Sequence, residues 1–136
     1  MIERYSLPEM AALWSMEHKT DKWLQVELLV CEGWAREGVI PQEALKKIRQ
    51  VGYNAQRMQE IEQETHHDVI SFLRSMQEQL GPEGRFIHLG LTSSDVLDTG
   101  LAAQMKEAGQ LLSVSLAELA EVLAQAAVQY KYTLMT

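Results

Sequence analysis

From Ser93 onward the sequence carries one uninterrupted helical period, and that run constrains the fold more than any other feature. Leu97, Leu101, Met105, Ala108, Leu112, Leu116, Leu119, Leu123, Ala126 and Tyr130 recur at intervals of three and four, the spacing that lines one face of an α-helix. Gly100 and Gly109 lower the local propensity, but the period runs through both. The run predicts a single helix over residues 93 to about 131, roughly 57 Å long at about 1.5 Å per residue. Helices beyond about 25 residues usually belong to coiled coils or long bundles. Ala102, Ala103, Ala117, Ala120, Ala124 and Ala127 widen the apolar surface and suit close packing.

The preceding residues punctuate shorter helices. Pro8 suits a first helical position, in a helix that ends near Ser15. Ser15 or Thr20 can cap a second helix, through Trp23, Val26, Val30 and Trp34, with Leu24, Leu28, Cys31 and Ala35 beside them and Gly38 closing it. Pro41 opens a third, ended by Gly52, and Asn54 caps a fourth. Residues 65–80 read as a fifth, with Val69, Phe72, Leu73 and Met76 on one side and Gly81-Pro82-Glu83-Gly84 breaking it. Residues 85–91 read as a short extended connector. The expected class is all-α: a helical domain over 1–92, then a rod over 93–136. The shorter helices are too small to cover both sides of that rod, and Leu134-Met135-Thr136 follows it without a capping glycine or proline. The chain therefore reads as cut off in mid-fold.

Twelve basic against nineteen acidic residues give a net charge of −7. With no Lys/Arg run to offset it, a nucleic-acid or anionic-membrane surface is not expected. No apolar run approaches the roughly 20 residues that span a bilayer, and the N-terminus lacks a cationic stretch followed by an apolar one. The single Cys31, in the Leu28-Leu29-Val30 run, reads as a buried free thiol in a reducing cytoplasm.

Three clusters carry possible chemistry. In Thr65-His66-His67-Asp68, adjacent helical side chains diverge by about 100°, so both imidazoles cannot face one ion. The i, i+4 histidine pair of zinc helices is missing, and no metal is expected. The plain reading is a helix start capped by Thr65. In His88-Leu89-Gly90-Leu91-Thr92-Ser93-Ser94-Asp95, three hydroxyl residues feed the rod, where free backbone N–H groups and the positive dipole end favour an anion. Thr92 and Ser93 suit a carboxylate, and Gly90 allows close backbone approach. Ordinary capping by Ser93, Ser94 or Asp95 accounts for the same residues. The third cluster, Arg4-Tyr5, says nothing on its own.

Taken in order, these clusters resemble the adenylosuccinate lyase family of the fumarase/aspartase superfamily. The resemblance runs through Arg4-Tyr5-Ser6-Leu7-Pro8-Glu9-Met10, Trp14, Lys22-Trp23-Leu24-Gln25-Val26-Glu27, Thr65-His66-His67-Asp68-Val69, the His88-to-Asp95 segment, Asp98-Thr99 and Tyr130-Lys131-Tyr132-Thr133-Leu134-Met135. It implies a helical homotetramer built on a shared central bundle, of which the rod is the first member. It also implies a cofactor-free elimination of fumarate from adenylosuccinate and from the related succinyl-carboxamide ribotide. Arg4 and Tyr5 would meet the nucleotide at its phosphate end. His66, His67 and Asp68 would form a nucleotide- and succinyl-facing segment, with His67 in an acid or orienting role. Position 66 is commonly arginine in that family, so His66 is a departure. Thr92 and Ser93 would hold a succinyl carboxylate, and His88 would hydrogen-bond within the site. The histidine acid and serine base of the family would lie beyond Thr136, leaving the chain inactive alone. Two other readings stand beside this one: a helical binding or assembly module that has lost the chemistry, and an enzyme of the same superfamily with another substrate.

Overall fold

The computed structural model describes residues 2–134, with Glu3 described by its backbone alone. Met1, Met135 and Thr136 lie outside the described residues, so the Tyr130-to-Met135 motif is seen only as far as Leu134. Among the described residues there is no strand. After a 3-10 turn at Glu3–Tyr5, the helices are α1 (Pro8–Leu13), α2 (Met16–Arg36), α3 (Gln42–Ile48), α4 (Ala55–Thr65), α5 (Asp68–Leu80) and α6 (Ser93–Gln129), with a second 3-10 turn at Gly81–Phe86.

The punctuation acts mostly as read. The Ser15 hydroxyl accepts from the His18 N–H and the Asn54 side chain from the Arg57 N–H, each satisfying a donor that a helix start leaves free. Residues 65–80, however, are not one helix. Thr65 turns its hydroxyl back to the Ile61 carbonyl and closes α4, His66 takes a left-handed conformation (φ 52°), and His67 caps α5. The stretch 85–91 is likewise not extended throughout: Pro82 and the backbone of Gly81–Phe86 form a 3-10 turn, and His88 (φ 66°) and Gly90 (φ 76°) are left-handed.

The core lies where α2, α3 and α5 meet the start of α6. Trp23, Phe72, Ile40, Ile48, Val69, Met76 and Val96 are buried there. Trp23 meets Phe72 edge-on, ring centroids 5.7 Å apart, and Tyr53 meets Phe72 the same way at 6.1 Å. Such pairs add about 0.5–1.5 kcal/mol beyond their buried area.

Helix α6 runs antiparallel to α2. Gly100 faces Trp23, Gln104 donates to the Leu13 carbonyl at 2.8 Å, and Glu107 meets Lys22 (2.6 Å) and His18 (2.7 Å). The packed face of α6 is therefore Val96, Gly100, Gln104 and Ala108, not the leucine stripe that sets the period. Leu101 is 46% exposed, Met105 60% and Leu119 53%. Past Ala108 the helix overshoots the start of α2, and from Leu112 to Leu134 every described residue except Ala126 is exposed.

Helix α6 also has the length and composition to cross a membrane, and none of its apolar window is buried. That corrects the expectation drawn from unbroken runs. Ser113, Ser115, Glu118, Glu121 and Gln125 interrupt every run without making the average polar. Core helices of soluble proteins share that length and composition but are mostly buried, as α6 is not within this chain.

Two outcomes test this packing. A Cβ on Gly100 would stand 2.9 Å from Trp23 Cδ1, in a ring that cannot retreat, whereas one on Gly109 meets nothing within 4 Å. Gly100→Ala should destabilise by about 1–2 kcal/mol, overpacking outweighing the gain in helix propensity. Gly109→Ala should stabilise by about 0.5–1 kcal/mol. Urea unfolding of both variants checks the contrast. The hydrogen bond from Lys22, then that from His18, holds the Glu107 carboxyl below the usual 4.5. A lowered carboxyl contributes stability that is present above that value and lost as pH falls through the folded one. Glu107→Gln should therefore lower the melting temperature at pH 7, and its deficit should shrink in a scan carried below pH 4.5.

Candidate functional site

His66 and His67 occupy the sharp corner between α4 and α5. His66 closes α4 and is exposed. His67 is half-buried and accepts from the Ile70 N–H through Nδ1 at 3.3 Å. A nitrogen that accepts carries no proton, so the neutral ring holds its hydrogen on Nε2. Asp68 bonds its own helix start through the Val69 N–H (2.8 Å), and its other oxygen stands 3.7 Å from Lys19 Nζ. Lys19 also lies over the Trp23 ring, 4.5 Å from its centroid, which brings one cation of α2 to the corner. Asp68 forms part of the wall of a cleft of about 770 Å³ between α2, α4 and α5, with Thr20, Trp23, Tyr53, Met58 and Glu62.

The start of α6 is the second focus. Thr92 is the N-cap residue, and the Asp95 carboxylate reaches back to its N–H (2.7 Å) and hydroxyl (3.0 Å), the reciprocal arm of a capping box. Those bonds, backbone first and hydroxyl second, hold Asp95 below its ordinary value. Thr92 is thus engaged by an anion of its own chain. The half-buried Ser93 hydroxyl has no intrachain partner among the described residues. Gly90 lies against the Trp34 ring, 3.2 Å from where a Cβ would sit, and Trp34 Nε1 donates to the Leu89 carbonyl at 2.8 Å. The glycine is needed for that close approach as well as for its positive φ.

His88, just ahead, is pinned from within. Its backbone N–H donates to Glu27 Oε2 at 2.8 Å and its Nδ1 pairs with Glu27 Oε1 at 2.7 Å. Glu27 has no exposed side-chain surface. Burial first, and the Glu27 charge second, push the Cys31 thiol up to about 11, so this cysteine stays a protonated core side chain.

Arg4 and Tyr5 form a pair of their own, the guanidinium 4.7 Å from the ring centroid, with Tyr5 74% exposed. The expected residues therefore stand in three places: Arg4 with Tyr5, His66 to Asp68, and His88 with Thr92 and Ser93. Among the described residues no hydrogen bond or ion pair joins one place to another, and no cluster of three His, Cys, Asp or Glu could hold a metal. Glu27 and Lys19 were not singled out from the sequence. Glu27 carried a signal: the buried face of α2 is Thr20, Trp23, Glu27, Cys31 and Ala35, and a carboxylate in that row must have a buried partner.

The chain matches the family described as Lyase over residues 3–136. It is 48% identical to adenylosuccinate lyase of Staphylococcus saprophyticus subsp. saprophyticus and 45% identical to adenylosuccinate lyase of Bacillus subtilis, over 99% of its own length in each case. It spans 32% of the length of those relatives. Its fold is similar to that of a fumarate lyase from Mesorhizobium sp. BNC1 (TM-score 0.80, 21% identity, 88% of this chain and 29% of that one). It is also similar to that of a 3-carboxy-cis,cis-muconate lactonizing enzyme from Pseudomonas putida (TM-score 0.82, 24% identity, 92% and 30%). With the family pattern covering nearly every residue, the chain belongs to the lyase family.

Proposed function

We propose that this chain is the N-terminal third of a cytoplasmic, homotetrameric adenylosuccinate lyase. In this reading the chain supplies substrate-binding side chains to a fumarate-releasing elimination. Residues 1–92 form its helical domain and 93–136 the first rod of its central bundle. The observation that carries the proposal is the start of α6: a helix terminus whose Ser93 hydroxyl has no partner among the described residues, in a chain 48% identical to an adenylosuccinate lyase along its length. Helix starts attract anions through their free N–H groups and dipole, which lets a protein of net charge −7 bind an anionic substrate locally.

Ser93 holds a succinyl carboxylate there, with Thr92 joining once Asp95 yields its bonds. His88 addresses the same ligand from the preceding turn. His67, fixed by its cap bond, offers Nε2–H as a donor for acid or orienting work. His66 and Asp68 flank it on the nucleotide and succinyl side, and Arg4 with Tyr5 meets the phosphate end. The principal acid and base come from other segments of the whole enzyme. No cofactor or metal enters the scheme.

The test is a chimera in which residues 1–136 replace the matching third of the Bacillus subtilis relative. It should release fumarate from adenylosuccinate, and the isolated chain should release none above the blank. A folded, assembled but inactive chimera would favour a binding or assembly module. Within the chimera, Ser93→Ala should lower kcat/KM by about 10- to 100-fold, since a hydrogen bond to a charged group is worth about 1.5–3 kcal/mol. Ser94→Ala should do less; equal losses would mean that both residues only cap.

The exposed leucine face of α6 supports the oligomer. Leu112, Leu116, Leu119 and Leu123 are all more than half exposed, and each favours burial by about 1.5–3 kcal/mol. The isolated chain should sediment at micromolar concentration as a dimer or larger species. Leu112→Asp or Leu119→Asp should shift it toward monomer, and a strictly monomeric wild-type chain would remove the bundle from the proposal.

A further inference from the structure

Glu27 and His88 are tied more closely than structure alone requires. Glu27 is wholly buried on α2, and among the described residues no lysine or arginine reaches it. Both its oxygens are spent on one residue sixty-one positions away: Oε2 on the His88 N–H, Oε1 on His88 Nδ1. His88 itself has φ 66°, a conformation that glycine adopts freely and side chains with a Cβ resist. Two residues later the chain uses Gly90 for a similar turn. A glycine at 88 would relieve the backbone and still donate its N–H to Glu27, so it is the imidazole that this position retains. Backbone strain held in place by surrounding bonds is a mark of functional positions.

We propose that Glu27 is a positioning residue that keeps the hydrogen of His88 on Nδ1, so that the ring meets a ligand at the α6 start through Nε2 alone. With Oε1 accepting as Oε2 does from the His88 N–H, the 2.7 Å contact places the hydrogen on Nδ1. This is the tautomer a free histidine side chain populates less. The turn that begins at His88, whose carbonyl accepts from the Leu91 N–H at 3.3 Å, leads directly into Thr92 at the α6 start, and one-fifth of the His88 side chain is exposed. His88 is thereby the counterpart of His67, whose Nδ1 accepts and whose hydrogen sits on Nε2. In the neutral forms one ring offers a lone pair at Nε2 and the other a hydrogen.

The identity of the ligand rests on the functional reading above; the tautomer does not. Long-range nitrogen NMR of the four histidine rings in this 136-residue chain reads the tautomer directly. In the neutral form His88 should show a protonated Nδ1 and a bare Nε2, and His67 the reverse. In Glu27→Gln, a neutral amide replaces the double acceptor, and the His88 signature should become a mixture while His67 keeps its own. A wild-type His88 that averages between tautomers or carries its hydrogen on Nε2 overturns the proposal, whether or not the variant folds. So does an unchanged signature in folded Glu27→Gln. In the chimera, Glu27→Gln should lower kcat/KM at least 10-fold. A locked tautomer in an inactive chimera keeps this inference and removes the functional reading; an averaged tautomer in an active chimera does the reverse.

Discussion

Trp23 in the notch left by Gly100 is the contact on which the rest of the chain depends. The ring touches α5 through the edge of Phe72, receives Lys19 on its face, and fills the space where α6 has no side chain. Three helices remote in sequence are joined at that point. Because α6 has a glycine where Trp23 arrives, their backbones approach closely, and the polar bonds on either side follow from that spacing. Gln104 reaches the Leu13 carbonyl, and Glu107 reaches Lys22 and His18. Aligning the start of α6 this way also sets where the loop before it must run, and so places His88 beside Glu27.

The site follows from two ways of ending a run of backbone. At the α4–α5 corner a left-handed residue stops one helix and an imidazole caps the next, which leaves His67 with its outer nitrogen protonated. Ahead of α6 another left-handed histidine is anchored to a buried carboxylate. In each case a group that satisfies the backbone also decides which hydrogen-bonding face a ring shows to its surroundings. At His67 structural capping and chemical presentation are the same bond; at His88 they are two bonds to one carboxylate.

Much of this is legible in the residues. Helix order, the Ser15 and Asn54 caps, the break at Gly81-Pro82 and the rod from Ser93 follow from local rules, because caps and breakers act within a few residues. The corner at His66-His67 was not legible: Thr65 is a good cap on paper, and only tertiary packing makes it close α4 instead. The packed face of α6 was also hidden. Periodicity finds the most apolar stripe, whereas Trp23 selects the face that Gly100 leaves open, and a search for leucines overlooks a contact made by glycine. Glu27 was visible as an acidic residue within an apolar row, but its partner lies sixty-one positions on, beyond any local pattern.

The overshoot of α6 makes it a lever with a short held arm and a long free one. Its grip on the body lies between Val96 and Ala108, while residues 112–129 project for about 27 Å at about 1.5 Å per residue, and a tilt of about 5° at Gly100, about 44 Å from the tip, moves that tip by about 4 Å. The angle of the free arm is set at the fulcrum, where Trp23 meets Gly100. A small misfit there is magnified with distance and falls on whatever the exposed leucines meet in the proposed bundle. The glycine thereby governs the aim of side chains several turns away that it never touches, and damage to it can appear as failed assembly in a chain that remains folded.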